Sequence, residues 1–175
     1  MKITRFLSQL FVLFFAVLAI SPGAIAASKY VSLVPDARMH AGMIVIRAQQ
    51  RFLYFVIDSE HAIRYPIAVP KSGKEWSGYA HIEGKYEAPA WAPPAEVKHD
   101  HPELPDYIPG GAPNNPMGAA AMTLDRGQYA IHGTTQKMRG SIGSAASYGC
   151  IRMYNEDVAD LFSRVSVGTE VLMIR

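Results

Sequence analysis

The chain has 175 residues, enough for one domain with a buried core but too few for several domains of ordinary size. Its 17 lysines and arginines exceed its 15 acidic residues by two, and residues 1–26 contain two basic residues and no acidic one. The rest of the chain is therefore neutral, and its charge gives no reason to expect nucleic acid or an anionic membrane surface as a partner.

Residues 1–26 have the pattern of a secretory signal peptide. Lys2 and Arg5 precede a mostly apolar stretch, and Ala24 and Ala26 form a cleavage site of the small-x-small type. The uninterrupted apolar part, residues 10–20, is short for a membrane-spanning helix. We therefore expect cleavage after Ala26 and a periplasmic mature protein, with an uncleaved membrane anchor as the alternative.

The mature chain begins with a lead-in segment, residues 27–42, that has no clear periodicity. Residues 43–175 are predicted to form one domain. Compact runs of apolar, aromatic and β-branched residues predict its first three strands, at residues 43–47, 51–57 and 62–69. Pro66 places the third strand at a sheet edge or a bulge, because proline cannot donate a ladder hydrogen bond.

Residues 84–118 are predicted to form a long loop, because eight of the twelve prolines lie there. Long loops in compact domains usually carry function, and Trp91 and Tyr107 give this one aromatic side chains for packing on the domain. We expect the segment to cover the functional cleft. His99 and His101 resemble a metal-binding pair, but no further ligands are in position, so a solvated loop without metal is preferred.

Strand patterns resume at residues 120–124 and 128–131, which a turn at residues 125–127 separates. One amphipathic helix follows Cys150. Asn155 is suited to cap it, and one face is apolar, formed by Val158, Leu161, Phe162 and Val165. The last strand is predicted at residues 170–174. The domain should therefore be mainly β, with one helix after the cysteine.

Cys150 is the only cysteine, so no internal disulfide can form. In an exported protein such a cysteine is a buried thiol, an intermolecular bridge or a reactive nucleophile. A nucleophilic thiol needs a base, and His132 at the end of a predicted strand can supply one. No acid sits beside His132 in the sequence, so a backbone carbonyl such as that of Gly133 is expected to orient its ring. On residue types alone, a core cysteine with an unrelated histidine explains the pattern equally well.

The neighbours of Cys150 suit a nucleophile. Gly149 permits a tight turn beside the sulfur, and the amides of Gly149 and Cys150 can form an oxyanion hole. Arg152 can bind a substrate carboxylate through its fork of donors.

The two segments together resemble a known signature. His132-Gly133-Thr134, followed by Ser147-Tyr148-Gly149-Cys150-Ile151-Arg152-Met153, is similar to the motif of the L,D-transpeptidase catalytic domain, the YkuD-type family. The likeness covers residues 42–174. Four further segments resemble the branch found in Gram-negative periplasms: Glu75-Trp76-Ser77-Gly78, Ala90-Trp91-Ala92-Pro93-Pro94, Pro109-Gly110-Gly111 and Asn115-Pro116-Met117-Gly118.

The resemblance implies a β-sandwich-like catalytic domain with the cysteine in a cleft. Cys150 would be the nucleophile and His132 the general base. The other residues that would bind substrate or the oxyanion are Gly133, Thr134, Ser147, Tyr148, Gly149 and Arg152. Many members of the family carry histidine where this chain has Tyr148, which puts any substrate contact made by that histidine in question.

The resemblance also implies a reaction on peptidoglycan. The thiolate attacks the carbonyl of the third residue of a tetrapeptide stem, terminal D-alanine leaves, and an amine of a neighbouring stem takes the acyl group from the thioester. The expected partners are stem peptides, with no cofactor, no nucleic acid, no membrane after signal cleavage, and a monomeric protein. Two alternatives remain open: a carboxypeptidase that uses water as acceptor, and a peptidoglycan-binding module without turnover, against which the retained Cys150 and His132 argue.

Overall fold

The structure is a computed structural model that describes residues 29–34 and 36–175. The predicted signal peptide, residues 1–26, lies outside the described residues. Within the described part of the chain, no helix is long and apolar enough to cross a membrane. The strands are β1 (Tyr30–Ser32), β2 (Ile44–Arg47), β3 (Phe52–Val56), β4 (His61–Pro70), β5 (Gly78–Glu87), β6 (Ala120–Leu124), β7 (Ala130–His132), β8 (Ala145–Ser147), β9 (Ile151–Met153) and β10 (Glu170–Ile174). The helices are α1 (Ala95–Asp100), α2 (Asn155–Arg164) and a 3₁₀ helix (Gln136–Ser141).

Strands β4 and β5, each ten residues long, belong to both layers of the fold. The first layer has the order β1-β4-β3-β2-β10-β5, and the second continues through β6 and β7 to β9. The second half of β4 pairs with β9, so the sheet returns to its own beginning. β5 likewise pairs first with β10 and then with β6. This sharing of strands gives a barrel-like sandwich and confirms the predicted mainly β, sandwich-like fold.

Pro66 lies where β4 changes partners. It stands opposite Phe52 of β3, and the next residue, Ile67, pairs with Met153 of β9. The pairing of β4 with β1 has already ended at Ile63. Because proline has no N–H to donate, it is tolerated at such a point, where the strand has a neighbour on one side.

The main core lies between the layers and includes the apolar face of α2. Val158, Leu161 and Val165 of the predicted face are buried there, and Phe162 is partly buried. A smaller apolar cluster forms on the outer side of the first layer, from Met43, Val45, Val56 and Leu172, and Leu33 and Met39 pack on it. Residues of the lead-in segment therefore contribute to the folded body, and β1 within it pairs with β4.

The segment 84–118 is more ordered than a loop prediction allows. Its first residues complete β5, and Ala95–Asp100 form α1. Pro94 stands at the N-cap of α1, before the helical hydrogen bonds begin, so the prolines do not interrupt the helix. The prediction missed β5 altogether because two glycines and several charged residues weaken its alternating pattern.

Candidate active site

Side chains alternate across the second layer, and this alternation creates the site. Core-facing residues of β6, β7 and β9 are Met122, Leu124, Ile131, Ile151 and Met153. The residues between them line a cavity on the other face: Ala121, Thr123, Ala130, His132 and Arg152. The small side chains of β6 and β7 leave space there, and the cavity has a volume of about 1390 Å³. It is large enough for an extended peptide rather than a single small molecule.

Residues 84–118, the covering segment, form the opposite wall of this cavity. Trp91 and Ile108 exchange two backbone hydrogen bonds, with N···O distances of 2.9 and 2.7 Å, and both line the cavity. Val97, Leu104 and Met117 line it as well. The predicted position of the segment over the cleft is confirmed by Trp91, whereas Tyr107 is exposed and does not line the cavity.

Cys150 lies directly before β9 and is half-buried. The turn in front of it depends on Gly149, which has φ +133°. A Cβ at this position would collide with the edge of the Tyr129 ring. Trp76 stacks on Tyr129 and donates from Nε1 to the Gly149 carbonyl at 2.9 Å. Ser147 Oγ donates to the Cys150 carbonyl at 2.5 Å. These contacts fix the backbone on both sides of the sulfur.

His132 ends β7, beside Arg152 in the parallel strand β9. Its Nδ1 lies 3.1 Å from the carbonyl oxygen of Pro116. A carbonyl only accepts, so Nδ1 carries the proton and Nε2 is left as the basic nitrogen. A backbone carbonyl therefore lies against the ring, as expected, but the hydrogen bond from Nδ1 goes to Pro116 and not to Gly133, which was given as the example.

Burial sets the protonation of the two central groups. It lowers the pKa of His132 to about 4, an effect that Arg152 reinforces and that the carbonyls of Gly133 and Pro116 partly oppose. Burial also raises the pKa of Cys150, against the backbone amide of Ala130 and the charge of Arg152. At neutral pH Cys150 is therefore a neutral thiol and His132 a neutral imidazole. A neutral imidazole is the form of histidine that can accept a proton.

Arg152 is a buried cation without an acidic partner among the described residues. Its Nη1 donates to Ser141 Oγ at 2.7 Å, and its buried Nε has no hydrogen-bond partner. Burial lowers the pKa of its guanidinium. A buried arginine that lacks a carboxylate is costly, so this position beside the cavity is suited to an anionic ligand.

Tyr148 joins the cysteine segment to α1. Its hydroxyl donates to Asp100 Oδ2 at 2.7 Å, and Lys71 Nζ lies 3.5 Å from the centre of its ring. The hydrogen bond from Tyr148, with one from His99, lowers the pKa of Asp100 to about 2. Tyr148 lines the cavity, yet its polar atom is used for this link to the covering segment.

Two asparagines that sequence reasoning did not place in the site support it from behind. Asn115 is buried, donates from Nδ2 to the carbonyls of Pro89 and Pro109 at 2.8 and 2.9 Å, and accepts from the Met117 amide at 2.9 Å. It thus fixes the chain on both sides of Pro116. The motif Asn115-Pro116-Met117-Gly118 was the available signal, but it identified only the family resemblance.

Asn155 does not cap α2, contrary to the prediction. The N-cap residue is Tyr154, and the Asn155 Oδ1 accepts from the amides of Thr134 and Ala119 at 2.9 and 3.1 Å. A Cβ at Gly133 would collide with this oxygen.

The predicted site residues Gly133, Thr134 and Gly149 do not line the cavity, whereas Cys150, His132, Ser147, Tyr148 and Arg152 do.

The histidines of the covering segment have acidic neighbours. His99 lies 3.2 Å from Asp100, and His101 lies 3.3 Å from Glu103. In the part of the chain that the structure describes, no group of three or more histidine, cysteine, aspartate or glutamate residues is placed to hold a metal ion.

Comparison with known proteins assigns the family. A sequence model of the YkuD L,D-transpeptidase catalytic domain matches residues 41–173. The chain belongs to this family. The probable L,D-transpeptidase ErfK/SrfK of Escherichia coli K12 is 36% identical over 148 residues, which cover 81% of this chain and 46% of that protein. The probable L,D-transpeptidase YbiS of the same organism is 35% identical over 150 residues, which cover 81% and 47%. This chain thus spans less than half the length of these two relatives.

Solved structures agree on the fold. An L,D-transpeptidase from Mycobacterium smegmatis superposes with a TM-score of 0.60 at 18% identity, covering 76% of this chain and 58% of the other. A protein from Brucella melitensis described as a probable carnitine operon oxidoreductase is 43% identical, with a TM-score of 0.53, and covers 83% of this chain and 92% of its own. That description applies to the Brucella protein, and the family assignment here rests on the match over residues 41–173.

Proposed function

We propose that this member of the L,D-transpeptidase family uses Cys150 as nucleophile and His132 as general base, and that it acts on peptidoglycan stem peptides. The observation that carries the proposal is the placement of both side chains on one cavity, with the His132 tautomer fixed by Pro116. A thiol and a base on one cavity, with the base oriented by a third group, are the parts that acyl transfer through a thioester needs.

The first half of the reaction forms the acyl-enzyme. His132 Nε2 takes the thiol proton as the sulfur attacks the carbonyl of the third stem residue, and the amides of Gly149 and Cys150 receive the developing oxyanion. The tetrahedral intermediate collapses, the bond to D-alanine breaks, and the imidazolium returns its proton to the leaving amine. Gly149 is not among the residues that line the cavity, but its amide makes only a long hydrogen bond, 3.4 Å to Ser147 Oγ, which we propose a substrate oxygen replaces.

The second half transfers the acyl group to an amine. The amine attacks the thioester carbon, the C–S bond breaks, and the amine proton passes through His132 to the Cys150 thiolate. Water as acceptor would give a carboxypeptidase with the same residues, and a binding module would stop before the thioester. The products of a single incubation with stem peptides separate these three activities.

Arg152 is proposed to bind a carboxylate of the stem. Its guanidinium has unused donors and no acidic partner in the described chain. A carboxylate placed there would be held by charge-assisted hydrogen bonds. The terminal carboxylate of D-alanine lies closest to the scissile bond and is the ligand group that we assign to this position.

The proposed place of action is the periplasm, reached through the signal pattern of residues 1–26. Peptidoglycan is found only outside the cytoplasmic membrane, so export and substrate agree. Once the signal is removed, we propose a monomer without cofactor that contacts stem peptides and neither nucleic acid nor membrane.

The test is mass spectrometry of the protein after incubation with a tetrapeptide stem and, separately, with a carbapenem. We expect an adduct on Cys150 in both, no adduct and no turnover for Cys150→Ala, and acylation slowed about 10²- to 10⁴-fold for His132→Ala. Circular dichroism of the variants controls for folding. An unmodified, slowly alkylated cysteine whose reactivity is unchanged by His132→Ala would make Cys150 a plain core thiol.

A further inference from the structure

A β-bulge turns one carboxylate toward the cavity. In the pairing of β5 with β6, Ile82 stands opposite Leu124 and Gly84 opposite Thr123, so Glu83 is the extra residue between them. Thr123 lines the cavity, and Gly84, directly opposite, faces the same side. The bulge thus places the consecutive residues Glu83 and Gly84 on one face, where a regular strand would alternate them. Bulges next to active sites commonly redirect a side chain in this way.

Glu83 is the unpaired carboxylate of the cavity wall. The other carboxylate that lines the cavity, Glu96, forms an ion pair with Lys74. Glu83 is exposed, and within the described residues it has neither a hydrogen bond nor an ion pair. The Tyr86 ring packs against the neighbouring Gly84, where any side chain would collide with it. Tyr86 also lines the cavity. A carboxylate beside an aromatic ring is a favourable environment for a cation.

A positive and a negative side chain, Arg152 and Glu83, lie at different places on the cavity wall. The buried cation Arg152 lies on β9, and Glu83 lies on β5, with β6 and β7 between these two strands. Gly84 pairs with Thr123, Thr123 pairs with Ala130, and the Ala130 amide interacts with the Cys150 sulfur. Two strand spacings give about 10 Å between the backbones of β5 and β7. The Glu83 side chain and an extended diamino-acid side chain can together span that distance.

We propose that Glu83 is the binding site for a primary ammonium group of the stem peptide, an inference that rests on the proposed function. A stem that contains a diamino acid offers this group in two places. It can belong to the donor stem, where it would help to place the scissile carbonyl at Cys150. It can instead belong to the incoming acceptor, where Glu83 would raise the local concentration of the amine that then gives up its proton and attacks the thioester.

The experiment compares Glu83→Gln with the wild-type protein, using synthetic tetrapeptide stems whose side-chain amine is either free or acetylated. Glu87→Gln is the matched control, because Glu87 is an exposed carboxylate on the same strand that does not line the cavity. Two quantities are measured. The first is the rate of acyl-enzyme formation on Cys150, and the second is the ratio of cross-linked to hydrolysed product.

If the ammonium belongs to the donor, Glu83→Gln lowers the acylation rate roughly three- to tenfold with the free amine and not with the acetylated stem. If it belongs to the acceptor, acylation is unchanged and the ratio of cross-linking to hydrolysis falls by a similar factor. Glu87→Gln changes neither the acylation rate nor the ratio of products. Equal rates for Glu83→Gln and the wild type in both measurements would overturn the inference while Cys150 is still acylated. Absence of any adduct on Cys150 would instead contradict the proposed function.

Discussion

Protonation of one buried ring, His132, should contribute measurably to the loss of stability on acidification. Burial and Arg152 lower its pKa from 6.5 to about 4. In the unfolded chain the ring titrates at its ordinary pKa, so between pH 6.5 and 4 the unfolded state binds a proton that the folded state does not. The free energy of unfolding is therefore unaffected by this group above pH 6.5, falls between 6.5 and 4, and is not lowered further below 4. With 1.36 kcal/mol for each pKa unit, the loss is about 3 kcal/mol.

The assay is urea unfolding of the wild type and of His132→Gln at pH 7, 5.5 and 4. Glutamine keeps an N–H for the Pro116 carbonyl and cannot take up a proton, so its unfolding free energy should lack about 3 kcal/mol of the wild-type pH dependence. His99→Gln, at an exposed histidine of α1, controls for the loss of one histidine elsewhere. Identical pH dependence in His132→Gln and the wild type would refute the argument that the ring is held neutral by burial. The rate of Cys150 alkylation should fall over the range in which His132 becomes protonated.

Gly149→Ala should lower the free energy of unfolding by about 2–4 kcal/mol, because the added methyl overlaps Tyr129 at a positive φ; an unchanged denaturation midpoint would contradict this. Tyr148→Phe keeps the ring beside Lys71 but removes the hydrogen bond to Asp100, and hydrogen exchange of α1 should become roughly 2- to 10-fold faster. Exchange as slow as in the wild type would mean that this bond does not hold the covering segment. The exported protein should have the intact mass of a chain that begins at Ala27, and a mass that includes residues 1–26 would make the segment an uncleaved anchor.

Hydrophobic periodicity predicted the parts of the fold that bury a regular face. β6 and β10 have the predicted bounds, and α2 buries the predicted apolar side. Hydrophobic periodicity gives no prediction for the elements whose pattern is irregular. β5 contains the bulge at Glu83, which breaks the two-residue period, and α1 has only six residues and no buried side chain, so it carries no periodic signal.

The site was predicted to the extent that it follows from local sequence. Cys150 and Arg152 lie two positions apart, next to and within one short strand, so their common placement on the cavity could be inferred from the motif. The hydrogen bond from His132 to Pro116 joins segments 16 residues apart, and no residue type at either position indicates it. The expected contacts of Gly133 and Gly149 with substrate or the oxyanion stay a prediction. The structure shows that the space of a side chain at these two positions is occupied by Asn155 and Tyr129, respectively.

The covering segment 84–118 both closes the cavity and sets the tautomer of the base, and the two roles depend on interactions of different strength. Pro116 is held by buried Asn115, whose hydrogen bonds reach two other parts of the same segment. Removing such a buried group costs about 1–3 kcal/mol for each partner left unsatisfied. α1 is held instead by exposed contacts, among them the ion pairs of Lys71 with Asp100 and of Lys74 with Glu96, and pairs of this kind contribute about 0–1 kcal/mol each. We therefore expect that displacing α1 requires less energy than displacing Pro116. If α1 moves, the Pro116 carbonyl should stay in place and the His132 ring should keep its proton on Nδ1.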